Sequence, residues 1–150
     1  MTCKSTLAVI AILFSAIALQ SCGDDDSNGG YIAPDEDPST FARITDITIG
    51  GEGAAEIAAF DPITDQLFVV NNADDSKIDV VNFAIPSAMS VNTSIIVNSY
   101  GGGVNSVAVN GAFLAAAIEA ETATDNGQVV VFNIADLSEA AVITVGSLPD

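Results

Sequence analysis

This sequence lacks several residue types that most catalytic and metal sites require. Its 150 residues contain no histidine, and the two cysteines, Cys3 and Cys22, both lie within the first 22 positions. A Ser-His-Asp triad and a histidine-based zinc site are therefore excluded within these residues. The cysteine positions also leave no disulfide framework to stabilise a folded domain.

Positive charge is equally scarce. The only basic residues are Lys4, Arg43 and Lys77, against 20 acidic residues, and the formal net charge is −17. Binding to nucleic acid or to anionic lipid head groups depends on lysine and arginine side chains that neutralise phosphate. The composition therefore excludes these two partners and leaves cations, sugars, neutral ligands and other proteins.

The longest apolar run covers Leu7–Leu19, which is 13 residues. A membrane-spanning helix needs about 20 apolar residues, whereas the apolar region of a signal peptide needs about 7 to 15. The string Leu19-Gln20-Ser21-Cys22 follows and resembles the lipobox of bacterial lipoproteins. We therefore predict a signal peptide over residues 1–21 and lipidation of Cys22. Ordinary secretory cleavage is the alternative.

Residues 22–43 combine the lipid-acceptor cysteine with a segment rich in Asp, Gly, Ser and Pro. Such a segment buries too little apolar surface to offset its ordering entropy, so we predict a disordered tether. Asp24, Asp25 and Asp26 resemble the acidic signal that sends some lipoproteins to the outer face of the outer membrane. The predicted location is thus the outer membrane at the cell surface, with a periplasm-facing lipoprotein as the alternative.

From Ile44 onward, short runs rich in Val, Ile and Phe are bounded by Gly, Pro, Asn and Asp, which is typical of β-strands. The Ala-rich run near Leu114 could by propensity alone be a helix. The predicted strands are 44–49, 55–60, 67–71, 78–83, 94–98, 105–109, 113–118, 128–134 and 141–145.

Two successive units of this region can be overlaid, and the overlay places the Ala-rich run on a strand. Four strands per unit and a period in the high forties indicate propeller blades. The matched pairs are Ile57 with Val107, Leu67 with Leu114, Val80 with Val130, and Val97 with Val145. We predict an all-β fold in which residues 44–150 form about two four-stranded blades of an incomplete β-propeller. Because two blades cannot close a ring, we expect the remaining blades to be missing from this chain.

Several strings of this region together resemble the N-terminal blades of the choice-of-anchor I domain. They are GEGAAEI at 51–57, DP at 61–62 with LFVVN at 67–71, YGGGVNSVAV at 100–109, and VGSLPD at 145–150. The resemblance implies a large bacterial extracellular β-propeller of the YVTN and WD40-like kind, attached to the cell surface, with several further blades.

The candidate functional groups are carboxylates and amides. If the first strand of each blade is innermost, the loops that enter it share one end of the blade with the loops between the second and third strands. Oxygen ligands there suit Ca²⁺, although the same residues could simply cap strands and solvate loops. The predicted metal ligands are Glu52, Glu56, Asn105 and Glu119, and the predicted binding residues are Asn71, Asp74, Asp75 and Glu121.

Two classes of function remain open at this stage. The first is a lipid-anchored surface module that binds a protein, glycan or cation. The second, implied by the family resemblance, is a calcium-dependent phosphoesterase activity of a longer parent protein. No catalytic residue is predicted within these 150 residues.

Overall fold

The computed structural model describes residues 37–150. The predicted signal peptide, Cys22 and the tether up to residue 36 lie outside the described residues. Residues 37–43, the part of the predicted tether that the structure describes, contain a short 3-10 helix at Pro38–Thr40. The side chain of Asp37 starts this turn, because its Oδ1 accepts a hydrogen bond from the Ser39 amide at 2.9 Å.

Two four-stranded antiparallel sheets make up the folded region, and in each sheet the strands lie side by side in chain order. Sheet A contains β1 (Ala54–Asp61), β2 (Gln66–Asn71), β3 (Lys77–Asn82) and β4 (Ser90–Ile96). Sheet B contains β5 (Gly103–Asn110), β6 (Phe113–Glu119), β7 (Gln128–Asn133) and β8 (Glu139–Thr144). A 3-10 helix at Pro86–Ala88 lies between β3 and β4. This arrangement confirms the predicted all-β fold with two propeller-like blades.

The Ala-rich run forms strand β6, as the repeat predicted and helix propensity did not. β6 pairs with β5 on one side and with β7 on the other, so it is central in sheet B. Leu114 and Ala116 are fully buried. Tertiary burial of a small side chain between two sheets therefore outweighs the modest preference of alanine for a helix.

The strand predicted at residues 44–49 is not formed. Thr45, Ile47 and Ile49 are half-buried and alternate with exposed neighbours, which is the pattern of extended chain. However, this segment forms no strand pairing among the described residues. Its contact with sheet A includes the Ile49 carbonyl, which accepts a hydrogen bond from the Asn71 side chain at 2.8 Å. A strand requires a ladder of backbone partners, and alternation alone does not supply one.

The two sheets repeat the same hydrogen bonds at matching places. The Phe83 amide donates to the Asp65 carbonyl at 2.8 Å, and in sheet B the Ile134 amide donates to the Ala112 carbonyl at 2.9 Å. Both sheets also carry a register irregularity early in the first strand and another where the third strand pairs with the fourth. The blades are therefore structural repeats, with bulges included.

The register of the sheets corrects two of the four predicted overlays by one residue. Strand pairing places Asp61 opposite Gln66 and Asn110 opposite Phe113, so the first turn of sheet B is two residues shorter. Since β2 and β6 match at a spacing of 47, β1 and β5 match at a spacing of 49. The pairing of Gln66 with Asn82 and of Phe113 with Asn133 makes the next segment of sheet B four residues longer, so β3 and β7 match at a spacing of 51. A shift of one residue moves a side chain to the other face of its sheet. The overlays of Ile57 with Val107 and of Val80 with Val130 are therefore wrong.

The hydrophobic core lies between the two sheets. Burying each large apolar side chain there contributes about 1.5–3 kcal/mol. Its members include Phe68, Val70, Ile78 and Val80 from sheet A, and Leu114, Ile118, Val130 and Phe132 from sheet B. This packing holds corresponding ends of the two sheets next to each other.

Candidate functional site

The loop between β2 and β3 of sheet A lies against the start of β5 in sheet B. The Asn72 side chain bonds to both backbone groups of Val104, and the Ser76 hydroxyl donates to the Gly102 carbonyl at 2.7 Å. These contacts confirm that the loops expected to share one end of the blades do so.

The glycine run before β5 allows the connection between the sheets to pass close to β6. A Cβ at Gly101 would lie only 2.0 Å from the Glu119 carbonyl oxygen, so no other residue fits there without movement. The neighbouring Gly102 amide donates to that same carbonyl at 2.8 Å. The run is therefore a close-approach turn and not a phosphate-binding loop, which would be followed by a helix.

Tyr100 secures the same connection on sheet B. Its hydroxyl donates to Glu139 Oε2 at 2.5 Å, and its ring packs edge-on against Phe132 with centroids 6.2 Å apart. The hydrogen bond to the Glu139 carboxylate is the main cause that raises the pKa of the Tyr100 hydroxyl above its ordinary value of 10.0. The tyrosine thus stays protonated, which preserves the bond.

A polar groove of about 380 Å³ opens between these loops. Two of the predicted binding residues, Asp74 and Glu121, lie in it together, although they come from different sheets. Asp75 lies beside it and accepts a hydrogen bond from the Asn98 side chain at 3.0 Å. The groove is lined by Asp74, Ser76, Asn98, Gly101, Gly102 and Glu121. This lining is mostly polar and contains no basic side chain.

Asn71, another predicted binding residue, faces inward. It is buried, and its Nδ2 donates to Asp79 Oδ2 at 2.7 Å and to the Ile49 carbonyl at 2.8 Å. The Ser94 hydroxyl donates to the other Asp79 oxygen at 2.5 Å. The Asn71 side chain therefore holds the structure together and does not line the groove.

Sequence reasoning missed Asp79, which is the centre of that buried network. The available signal was its place in Ile78-Asp79-Val80-Val81, where an acidic residue interrupts an apolar strand. Its charge is matched in part by Lys77, whose Nζ lies 3.9 Å from Asp79 Oδ1. A buried carboxylate needs hydrogen-bond donors on both oxygens, and Asn71 and Ser94 provide them.

The structure brings two of the four predicted metal ligands together. Asn105 and Glu119 are near each other, with Asn105 Nδ2 3.5 Å from Glu119 Oε2, and Asn105 also donates to the Pro149 carbonyl at 3.0 Å. Glu52 and Glu56 are exposed at the entry to sheet A. Within residues 37–150, no three His, Cys, Asp or Glu side chains come close enough to hold a metal ion. The cation site remains a prediction.

In the same range, 37–150, the structure contains no helix of the length and apolar character needed to cross a membrane.

Comparison with known proteins identifies the family. The family model of the choice-of-anchor I domain matches residues 56–150, which span both sheets and more than half of the chain. No curated protein and no solved structure matches the chain significantly. The family match indicates a cell-surface or extracellular module. On this match and on the two repeated sheets, the chain belongs to the choice-of-anchor I domain family.

Proposed function

We propose that this protein is a lipid-anchored cell-surface module that binds a protein, glycan or cation in the groove between its two blades. The observation that supports the proposal most directly is the polar groove, where Asp74 from sheet A and Glu121 from sheet B line one opening. Binding sites occur preferentially where structural units meet, and a volume near 300–1,000 Å³ is usual for a small ligand.

The chemistry of the lining limits the classes of ligand that the groove can bind. Carboxylate and carbonyl oxygens accept hydrogen bonds, whereas the lining offers donors only from Ser76, Asn98 and backbone amides. A ligand that brings donors or positive charge is therefore favoured, such as a cation, a sugar with several hydroxyls, or a lysine or arginine of a protein partner. An anionic ligand would meet two carboxylates without a basic side chain to balance its charge.

The anchor is the second component of the proposal. The lipobox-like string ending at Cys22 supports attachment of acyl chains, and two or more chains form a stable anchor at about 0.8 kcal/mol per buried CH₂. The acidic segment that follows supports a spacer that separates the blades from the membrane.

The test is a binding experiment on the full chain in detergent micelles. Calcium chloride alone is titrated by calorimetry, and an oligosaccharide panel and a lysine-rich peptide follow as separate titrations. We expect at least one of these probes to bind. We expect the double variant Asp74→Asn, Glu121→Gln to weaken that binding by roughly tenfold or more, or about 1.4 kcal/mol.

The matched control is Asp65→Asn. Asp65 is an exposed acidic residue in the turn at the opposite end of sheet A, so Asp65→Asn removes one negative charge without touching the groove. The control should bind like the wild type. Equal binding by the double variant and the wild type would contradict the groove as the binding site.

A further inference from the structure

Three side chains of complementary chemistry meet on one face of sheet A. Asn71 of β2 pairs directly with Lys77 of β3, and Asp79 follows two residues after Lys77. Residues paired across two strands share a face of the sheet, and so do residues two positions apart on one strand. Their chain neighbours Val70 and Ile78 face the hydrophobic core instead. The amide, the amine and the carboxylate therefore lie together on the face of sheet A that is turned away from sheet B.

Asp79 is close to both of the other side chains. Its Oδ2 accepts a hydrogen bond from Asn71 Nδ2 at 2.7 Å, and its Oδ1 lies 3.9 Å from Lys77 Nζ. Asn71 is 1% exposed and Asp79 is 3% exposed, whereas the Lys77 side chain is 31% exposed. The flexible four-carbon stem of a lysine allows its amine to move closer. One buried carboxylate thus holds a primary amine beside a primary amide.

The side-chain amide of Asn71 is fixed and polarised. Its Oδ1 accepts a hydrogen bond from the Ala73 backbone amide at 3.1 Å, and its Nδ2 also donates to the Ile49 carbonyl at 2.8 Å. A Cβ at Gly50 would lie 3.3 Å from Nδ2 and 3.4 Å from Oδ1, so the backbone before β1 passes closely over this amide. A backbone N–H aimed at a carbonyl oxygen stabilises the negative charge that develops there when a nucleophile attacks.

Apolar neighbours keep water away from the same three side chains. Val69 pairs with Asp79 across the strands, and Val81 follows two residues after Asp79, so both share its face of the sheet. Val69 is 6% exposed and Val81 is 1% exposed. Exclusion of water suppresses hydrolysis as a side reaction and strengthens the electrostatic interactions within a site.

Sheet B does not repeat this combination at the matching positions. There, Ile118 pairs with Gln128 where Asn71 pairs with Lys77, and Val130 occupies the position of Asp79. The strand framework therefore forms without the amide, the amine and the carboxylate. This comparison leaves the three side chains of sheet A in need of an explanation other than the fold.

We propose that the Lys77 amine and the Asn71 side-chain amide condense to an intramolecular isopeptide bond. Asp79 takes a proton from the Lys77 ammonium group, and the neutral Nζ attacks Asn71 Cγ. The Ala73 N–H holds the negative charge on Oδ1. Asp79 passes its proton to Nδ2, the Cγ–Nδ2 bond breaks, and Asp79 takes the surplus proton from Nζ and gives it to the ammonia that leaves. The products are a secondary amide and one ammonium ion, and Asp79 is again a carboxylate.

Position and proton transfer supply what this reaction lacks in water, where amines leave amides intact. Well-oriented intramolecular groups reach effective molarities on the order of 10⁵–10⁸ M. A positioned proton carrier contributes about 10²–10⁴-fold more. The register of β2 and β3 provides the first effect, and the shared Asp79 carboxylate provides the second.

The bond would tie the last residue of β2 to the first residue of β3, and so close the loop of residues 72–76. This loop carries Asn72, which bonds to Val104, and Asp74, which lines the groove. The isopeptide bond therefore restrains the loop on which the groove is built. The reaction takes place within sheet A and does not depend on ligand binding.

Trypsin gives a direct test, because it cuts after arginine and lysine but not after a lysine whose amine is acylated. Beyond Arg43 the only basic residue is Lys77, so the unmodified chain yields the two peptides 44–77 and 78–150. The full chain is purified, denatured, digested and analysed by mass spectrometry. We expect one peptide, 44–150, that is lighter than its sequence mass by one ammonia molecule. Two peptides at their full sequence masses would overturn the proposal.

Lys77→Arg is the first variant, since it keeps the positive charge and the trypsin site but has no amine that can condense. It should give two peptides of full mass. The wild-type digest also distinguishes the isopeptide bond from a succinimide, which Asn71 would form by losing ammonia to its own backbone. A succinimide leaves cleavage after Lys77 intact, so a light 44–77 peptide would contradict the isopeptide bond.

Asp79→Asn tests the proton carrier with little change in side-chain size. We expect two peptides, and far-UV circular dichroism shows whether the β-structure is retained. One light peptide from this variant would overturn the role of Asp79. The matched control is Asn98→Ala, which removes another amide that donates to a carboxylate, and it should give one light peptide like the wild type. The wild-type digest decides the existence of the bond whether or not Asp79→Asn folds.

Discussion

Asn72, in the loop after β2 of sheet A, pairs its side chain with Val104 in sheet B in the way that one β-strand residue pairs with another. Its Nδ2 donates to the Val104 carbonyl at 2.9 Å, and its Oδ1 accepts from the Val104 amide at 3.1 Å. A side-chain amide thus stands in for a missing backbone neighbour at the start of β5. This contact fixes the end of one blade to the beginning of the next, beside the groove.

Replacing Asn72 by alanine should destabilise the fold. The change leaves both backbone groups of the buried Val104 without this partner, and an unsatisfied buried polar group costs about 1–3 kcal/mol. Asn98→Ala is the matched control, because it removes an exposed side-chain bond to Asp75. We expect the control to lower the free energy of unfolding by less than about 1 kcal/mol, as measured in urea. Equal losses in the two variants would contradict the special role of Asn72.

The buried Asp79 network should respond to single and double substitution in different ways. Strand register places Asp79 and Ser94 of sheet A at the positions of Val130 and Val142 of sheet B. Asp79→Val alone leaves the Ser94 hydroxyl without its acceptor and should cost about 1–3 kcal/mol. Adding Ser94→Val removes that stranded donor, so the double variant should recover part of the loss.

Chemical denaturation of both variants measures this difference, and the coupling between the two sites follows from the cycle of single and double variants. A double variant that is less stable than Asp79→Val would show that the hydroxyl is satisfied elsewhere.

Asp61 should make stability depend on acid pH. The Thr64 hydroxyl donates to Asp61 Oδ2 at 2.5 Å, and this bond, assisted by the amides of Ile63 and Thr64, lowers the pKa of Asp61 below its ordinary value of 3.8. A lowered folded-state pKa means that the folded state binds the proton less tightly. The stabilisation is therefore present above pH 3.8 and is lost as the pH falls through the folded-state pKa.

The variant Thr64→Val should bring the pKa of Asp61 back toward 3.8 and reduce the loss of stability in acid. Carboxyl titration by NMR reports the pKa, and thermal unfolding between pH 7 and pH 2 reports the stability. Thr48→Val, an exposed change in the segment before β1, should leave both unchanged. If the pKa of Asp61 is the same with and without the Thr64 hydroxyl, that hydroxyl does not cause the lowered pKa.

Cys22 should be lipidated and residues 1–21 removed in the cell. The lipobox-like string motivates this prediction, because it places the thiol where diacylglycerol transfer precedes cleavage. Metabolic labelling with a fatty-acid probe should mark the wild type, and the label should disappear in Cys22→Ser. Cys3→Ser is the control and should label like the wild type. Label that persists in Cys22→Ser would rule out this anchor.

The local pattern of residues predicted most of the strands. Alternating Val, Ile and Phe bounded by Gly, Asn and Asp is a signal carried by neighbours in sequence, and eight of the nine predicted strands are present. The run at 44–49 has the same pattern but no partner strand among the described residues. Alternation alone therefore predicted one strand too many.

The candidate site was also predicted only in part from the sequence. Asp74 and Glu121 lie in turns that the sequence marks clearly, and the structure brings them to one groove. Asn71 has the same residue type and a similar place at the end of a strand, yet it turns inward to Asp79. Which side of a strand end an amide occupies depends on register, and a slip of one residue reverses it.

The sequence by itself determined the all-β class, the number of four strands per blade and the membership of the choice-of-anchor I domain family. These features follow from short-range periodicity and from characteristic strings of residues. Only the tertiary structure decided the one-residue corrections of the repeat, the pairing of Asn72 with Val104, and the buried network around Asp79. These features depend on the lengths of turns and on packing between sheets. Residues 30 or more positions apart meet there, and no local pattern specifies which of them will touch.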